Sequence, residues 1–206
     1  DDGGDGNDAG ADDLPLVGSF STGVFDESAA EIVAHDPASQ KLLFTNSDSN
    51  QLNVLDFSDP ANLASAAQNP IDLAPFGDGP NSVAVSGGIV AVAVEAAAVD
   101  DPGQVVFFDT DGNLLAQVTA GVLPDMVTFT PDGSRVLVAN EGEPNDDFTI
   151  DPEGSVSVIE IGDGSQQAIG ALTASDVTTV GFTAFNGQEQ QLRDQGIRIF
   201  GPSGVG

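Results

Sequence analysis

Two stretches decide the fold. Glu31-Ile-Val-Ala-His35-Asp-Pro-Ala-Ser-Gln-Lys-Leu-Leu-Phe-Thr-Asn46 aligns without gaps on Asp125-Met-Val-Thr-Phe129-Thr-Pro-Asp-Gly-Ser-Arg-Val-Leu-Val-Ala-Asn140. Each reads as a strand, a turn built on a proline and a second β-rich strand. A shorter copy lies between them: Asn81-Ser-Val-Ala-Val85, a Gly87-Gly88 pair suited to a two-residue hairpin, then Ile89 to Val94. Third strands are expected at Leu52–Phe57, Val105–Asp109 and Val156–Ile161. Weaker fourth strands are expected near Ile71–Ala74, Leu114–Val118 and Ala168–Leu172. The copies open at residues 31, 81 and 125, hence at intervals of 81 − 31 = 50 and 125 − 81 = 44. Four strands per copy at about 40–50 residues is the signature of a propeller blade. A β-sandwich has the same strand content but does not normally repeat at blade length. The expected fold is therefore all-β: a β-propeller of which three four-stranded blades are legible. Closed propellers need about four blades or more, so the reading is of a truncated ring with two blade faces left open and marginal stability alone.

Outside the repeat the chain is simple. Residues 1–13 hold six Asp and four Gly and read as a flexible, hydrated leader, with the propeller segment running over 14–206. The leader opens without Met, as a processed terminus does. One helix is expected near 187–195, capped by Asn186 and ended by Gly196, as an insertion between blades.

Charge limits function. There are 33 acidic residues against 4 basic ones, a formal −29. Lys41, Arg135, Arg193 and Arg198 are too few to neutralise phosphates, so nucleic acid is excluded as a partner and an anionic membrane repels the chain. Self-repulsion on this scale calls for salt screening, as in a halophilic or marine setting, or for bound cations; acidity serving solubility alone is the plain alternative. No cysteine is present, so there are no disulfides, thiol nucleophiles or zinc–thiolate sites. No apolar run reaches the ~20 residues that span a bilayer, so direct membrane insertion is not expected.

Several motifs resemble the choice-of-anchor I family of secreted bacterial propellers. They are Pro80–Val85, Val105–Gly112, Leu123–Gly133, Val138–Pro144, Phe182–Glu189 and Arg198–Gly201. Relatives include proteins labelled mesenchyme-specific cell-surface glycoprotein and others labelled alkaline-phosphatase-like. The likeness runs over about residues 14–206. It implies a propeller of seven blades, longer than this chain, that is secreted, periplasmic or held at the cell surface. It implies no defined activity.

The repeat also locates candidate sites. In a four-stranded blade, the start of the first strand and the loop joining the second and third strands open on one face. The first strands begin there with Glu31, Asn81 and Asp125. The second strands end there at Asn46-Ser47, Val94-Glu95 and Asn140-Glu141. We therefore take Glu31, Asn46, Asn81, Glu95, Asp125 and Asn140 as candidate ligand-binding residues at the channel mouth, against the plain reading that channel mouths are polar anyway. The third copy's loop adds Glu141, Glu143, Asp146, Asp147, Asp151 and Glu153 with no basic residue among them. Hard oxygen donors at that density suit Ca2+, with Mg2+ or another divalent ion as alternatives, although the spacing is not that of an EF-hand. Asp109-Thr-Asp111-Gly-Asn113 also looks calcium-like, but it sits between apolar strands as a hairpin turn would. The sole histidine, His35, aligns with Val85 and Phe129 and reads as a packing residue rather than a general base. No Gly-x-Ser-x-Gly elbow is present.

Three functions follow. The first is a non-enzymatic surface module binding a cation and, through its channel face, a protein or glycan. The second is a metal-dependent phosphoesterase. The third is a structural subunit whose open edges self-assemble.

Overall fold

The computed structural model describes residues 15–145, 147 and 149–199; the leader 1–13 and Asp146 lie outside them. Three antiparallel meanders follow one another. The first contains β1 (Val33–Asp36), β2 (Lys41–Asn46) and β3 (Gln51–Asp56), with an outer strand split into β4 (Ala64–Ser65) and β5 (Ile71–Asp72), both paired to β3. The second is β6 (Gly79–Ser86), β7 (Ile89–Glu95), β8 (Pro102–Asp109) and β9 (Leu114–Val122). The third is β10 (Pro124–Phe129), β11 (Arg135–Asn140), β12 (Ser155–Glu160) and β13 (Val177–Gly181). These are the three blades expected from the repeat. The first strand of each blade is innermost, and β6 packs against both β1 and β10.

Two apolar cores lie between the blades. One joins Leu43 and Val54 of the first blade to Val90, Val92 and Phe108 of the second. The other joins Ala91, Ala93 and Phe107 of the second to Val127, Val136 and Ile159 of the third. The central blade is thus covered on both faces, which is why β7 is an unbroken run, Ile89-Val-Ala-Val-Ala-Val94, buried throughout. In β11, covered on one face, buried positions alternate with exposed or half-buried ones instead. Gly103 marks how closely the blades approach, because a Cβ there would lie 2.5 Å from both Pro124 Cδ and Val94 O.

The end of the third blade departs from the sequence reading. Residues 168–172 are not its fourth strand. Ser165 caps a short helix, α1 (Gln166–Ile169), by accepting a hydrogen bond from Ala168 N, and Ile169 and Leu172, three apart, turn into the core. The outer strand is the β-branched Val177-Thr-Thr-Val180 beyond it, where Val180 pairs with Val156. The second blade's outer strand runs on to Val122. The expected late helix is α2 (Glu189–Asp194), but its N-cap is Gln188. Asn186 instead ends a 3₁₀ turn over Thr183–Phe185. Gly196 does stop the helix, at φ +84°, with its N–H on Arg193 O and that of Ile197 on Leu192 O, the paired bonds of a Schellman motif.

Candidate functional site

At one end of the blades the inner strand carries a β-bulge, and the residue it pushes out is the one the repeat singled out. Pairing passes from Pro80↔Val94 to Ser82↔Ala93, leaving Asn81 extra, and from Pro124↔Asn140 to Met126↔Ala139, leaving Asp125 extra. In the first blade Glu31 N donates to Thr45 O while Thr45 N donates to Ile32 O, so Glu31 and Ile32 together oppose Thr45. A bulge re-aims a side chain, so Glu31, Asn81 and Asp125 are presented from equivalent points of three blades.

Each is met by a residue at the end of the second strand or just past it. Ser47 Oγ lies 3.1 Å from Glu31 Oε2 and 2.8 Å from Pro80 O of the next blade. Asn81 Nδ2 lies 3.2 Å from Glu95 Oε2 and 3.2 Å from Pro124 O of the next blade. In the second blade the two amide hydrogens of Asn81 serve both acceptors, and in the first the single hydroxyl hydrogen of Ser47 is shared between Glu31 and the nearer Pro80 O. The third blade breaks the pattern, because Asp125 and Glu141 occupy the corresponding places and neither carboxylate has a hydrogen to give. Although Glu141 is exposed overall, partial desolvation pushes its carboxyl above the usual range, and the charges of Asp125 and then Glu143 push it further the same way.

Asn46 and Asn140 occupy another environment. Both are buried, Asn46 bonded inside its own blade and Asn140 bonded to its own blade and the one before it. Asn46 Nδ2 donates to Asn53 Oδ1, and its Oδ1 accepts from Ser49 N. Asn140 Nδ2 donates to Ser155 Oγ and Ser157 Oγ, and its Oδ1 accepts from Gly121 N of the second blade. The equivalent residue of the second blade is Val94, fully buried, which marks the position as core. Of the pair Asn46-Ser47 it is Ser47 that reaches the bulge, and its signal was the pairing register rather than its type.

Of the acidic loop, Glu143, Asp147, Asp151 and Glu153 are exposed. Asp147 is held below the ordinary carboxylate range by the hydroxyl and backbone N–H of Thr149. The loop is pinched at its base, where a Cβ on Gly142 would lie 2.7 Å from the Glu153 carbonyl carbon, and Gly142 sits at φ +58°. Among the described residues no three carboxylates converge at metal-coordinating distance.

The other sequence candidates have plain roles. Asp109 turns both oxygens back into its own hairpin, accepting from Asp111 N, Asn113 N and Asn113 Nδ2 at 2.9 Å each. The ammonium of Lys41 already sits on that turn, 2.6 Å from Thr110 O and 2.7 Å from Asp111 Oδ1. His35 is exposed and meets Phe57 edge-on at 5.0 Å.

The model of the choice-of-anchor I domain matches residues 31–206. The chain belongs to that family. Its place there makes it an extracellular propeller module, secreted or held at the cell surface. Among the described residues no helix is long and apolar enough to cross a membrane. No curated protein matches the sequence. Solved structures similar to this choice-of-anchor I chain include a putative 6-phosphogluconolactonase from Bacteroides fragilis, at 17% identity and TM-score 0.49, over 76% of this chain and 41% of that one. A luciferin-regenerating enzyme is similar at 19% identity and TM-score 0.47, over 63% and 44%. A chain of a nidogen/laminin complex is similar at 13% and 0.45, over 66% and 45%. The chain spans less than half the length of each. At such scores these likenesses carry no argument about activity.

The linkage to pH has a definite sign. A carboxyl raised in the folded state contributes stability below its unfolded pKa and loses it as pH rises through the folded one. Glu141→Gln therefore raises the melting temperature at pH 7 in the absence of divalent ions, by no more than about 2 °C for a domain of this size. The gain disappears by about pH 4, where the native carboxyl is also neutral. Thermal melts of both proteins from pH 4 to 8 in chelator check this.

Proposed function

We propose that the chain is a non-enzymatic surface module that holds a hard divalent cation, calcium first, at the channel mouth of its third blade. Through that ion it engages an oxygen-rich partner, protein or glycan, at the cell surface. The supporting observation is the broken donor pattern. Where the first blade sets a hydroxyl against its bulge and the second carries an amide in it, the third sets Asp125 beside Glu141, with Glu143 close enough to raise it. Oxygen acceptors without a donor are the chemistry a calcium ion completes, with carbonyls and water filling its six to eight positions. Asp125, Glu141 and Glu143 would be the protein ligands, drawn together by the ion. Asp147, Asp151 and Glu153 would supply further carboxylates from the adjoining loop.

Calcium titration by calorimetry on the whole chain, with melts alongside, tests the reading. We expect saturable binding. At a hundredfold excess over Kd it adds about 2.7 kcal/mol to folding. Asp125→Asn and Glu141→Gln abolish the heat, and the order of melting temperatures reverses: Glu141→Gln melts above the native protein in chelator and below it in calcium. If stability instead follows ionic strength alone, identically for calcium and for sodium at matched strength, the acidity is charge adaptation and the reading fails.

A further inference from the structure

The passage from the second blade to the third is one residue long. β9 ends at Val122 and β10 begins at Pro124, so Leu123 alone makes the crossover, and it does so at φ +51°. A leucine in the left-handed region is uncommon, and such strain persists where the surroundings impose it. Here they do. Glu141 N donates to Leu123 O at 2.9 Å and Gly142 N to Val122 O at 3.2 Å. Pro124 is buried against Gly103, where a Cβ would lie 2.5 Å from its ring. From the second blade, Asn81 Nδ2 reaches the Pro124 carbonyl at 3.2 Å, and Glu95 Oε2 accepts from the same amide group.

Asp125 follows directly on this segment. No described residue donates a hydrogen bond to its carboxylate, and its charge and that of Glu141 repel. Its place beside Glu141 is therefore set by the backbone that leads into it and not by its own side chain. The blade before repeats the device. Ser47 Oγ reaches Pro80 O, the carbonyl preceding the second bulge, as Asn81 reaches Pro124 O, the carbonyl preceding the third. A hydroxyl past a strand and an amide within a bulge differ in type and position. Both nevertheless end on the same backbone atom of the next blade, so what recurs is the hold on that carbonyl.

We propose that Asn81 is a positioning residue, oriented by Glu95, that fixes the Pro124 carbonyl and through it the strained Leu123 crossover, so that Asp125 meets Glu141. The inference rests on the cation reading given above and assigns Asn81 and Glu95 to the support of the third-blade site rather than to its ligands. Support of this kind matters most where the supported groups repel each other, because two carboxylates left to themselves move apart before an ion arrives.

Amide hydrogen exchange by NMR in chelator, and calcium titration by calorimetry, test this on the whole chain. In Asn81→Ala the Glu141 and Gly142 amides, which bond to Leu123 and Val122, exchange faster by about fivefold, the net worth of one hydrogen bond. The calcium Kd weakens by about ten- to a hundredfold, the usual effect of losing an outer-shell partner. Val54→Ala, a truncation in the core of the first blade, lowers the melting temperature and moves neither readout, so lost stability alone does not mimic the result. Calcium affinity lost while the two amides exchange as before makes Asn81 a ligand and overturns the proposal. Faster amides with calcium affinity intact overturn it too, since the site then needs no such support, and so does no change in either. If the native chain itself binds no calcium, the cation reading fails, and the two amides in chelator alone decide for or against the hold through Pro124.

Discussion

Phe107→Ala is expected to destabilise the chain by about 3–5 kcal/mol, the cost of removing a core aromatic. Phe107 is fully buried in the core between the second and third blades. Its cross-strand neighbours are Ala91 on one side and Ala116 on the other. Large against small is how this layer interdigitates, so neither neighbour has atoms with which to fill the space a phenyl ring leaves. The cost of such a cavity depends on how far its walls collapse, and its two cross-strand walls are alanines held in paired strands. Domains of this kind hold about 5–15 kcal/mol in total, so the variant loses a large share of its stability. Urea unfolding followed by far-UV circular dichroism measures it. A loss below about 1 kcal/mol would mean that the two blades do not pack as described.

Asn140→Ala is the second large effect, and it separates a ligand role from a structural one. The side chain spans two blades, accepting from Gly121 N and donating to Ser155 and Ser157, all in part-buried or buried settings. Truncation leaves the Gly121 N–H without its acceptor and two hydroxyls without their donor. A single buried orphan costs about 1–3 kcal/mol, so a loss near 3 kcal/mol is expected. The space is tight as well: a Cβ on Gly121 would lie 2.7 Å from Asn140 Cγ, so Gly121→Ala breaks the same staple from the other side. Both variants should lower the urea midpoint while calcium affinity of the molecules still folded stays unchanged. Loss of calcium binding at native stability would return Asn140 to the channel mouth.

The sequence carried the architecture because a repeat reports on a repeated environment. Residues 31–46, 81–94 and 125–140 share hydrophobic phase and a strand–turn–strand plan, the middle one with a shorter turn, and each becomes the inner hairpin of one blade. The acidic and amide residues that open the inner strands were legible for the same reason. The weaker outer strands were less so. Edge strands pack on one side only, so their pattern is short, and Ala168–Leu172 has an apolar content that serves a helical turn as well as a strand. The calcium-like Asp109 turn was legible as a hairpin, but not its partner Lys41, which lies 111 − 41 = 70 positions from Asp111.

By itself, the sequence determined three blades and their inner hairpins, the strongly acidic charge balance and the acidic end of the third blade. These rest on local periodicity and net charge, which need no knowledge of distant contacts. Only the tertiary structure decided which polar residues face the mouth. A one-residue bulge turns Glu31, Asn81 and Asp125 outward, while the neighbouring strand positions of Asn46 and Asn140 stay in the core. It also decided that Ser47 and Asn81 tie each blade to the next and that the third blade has no such donor. Side chains on a strand alternate between faces, so a single shift in pairing moves a residue from core to solvent, and that shift is fixed by the partner strand.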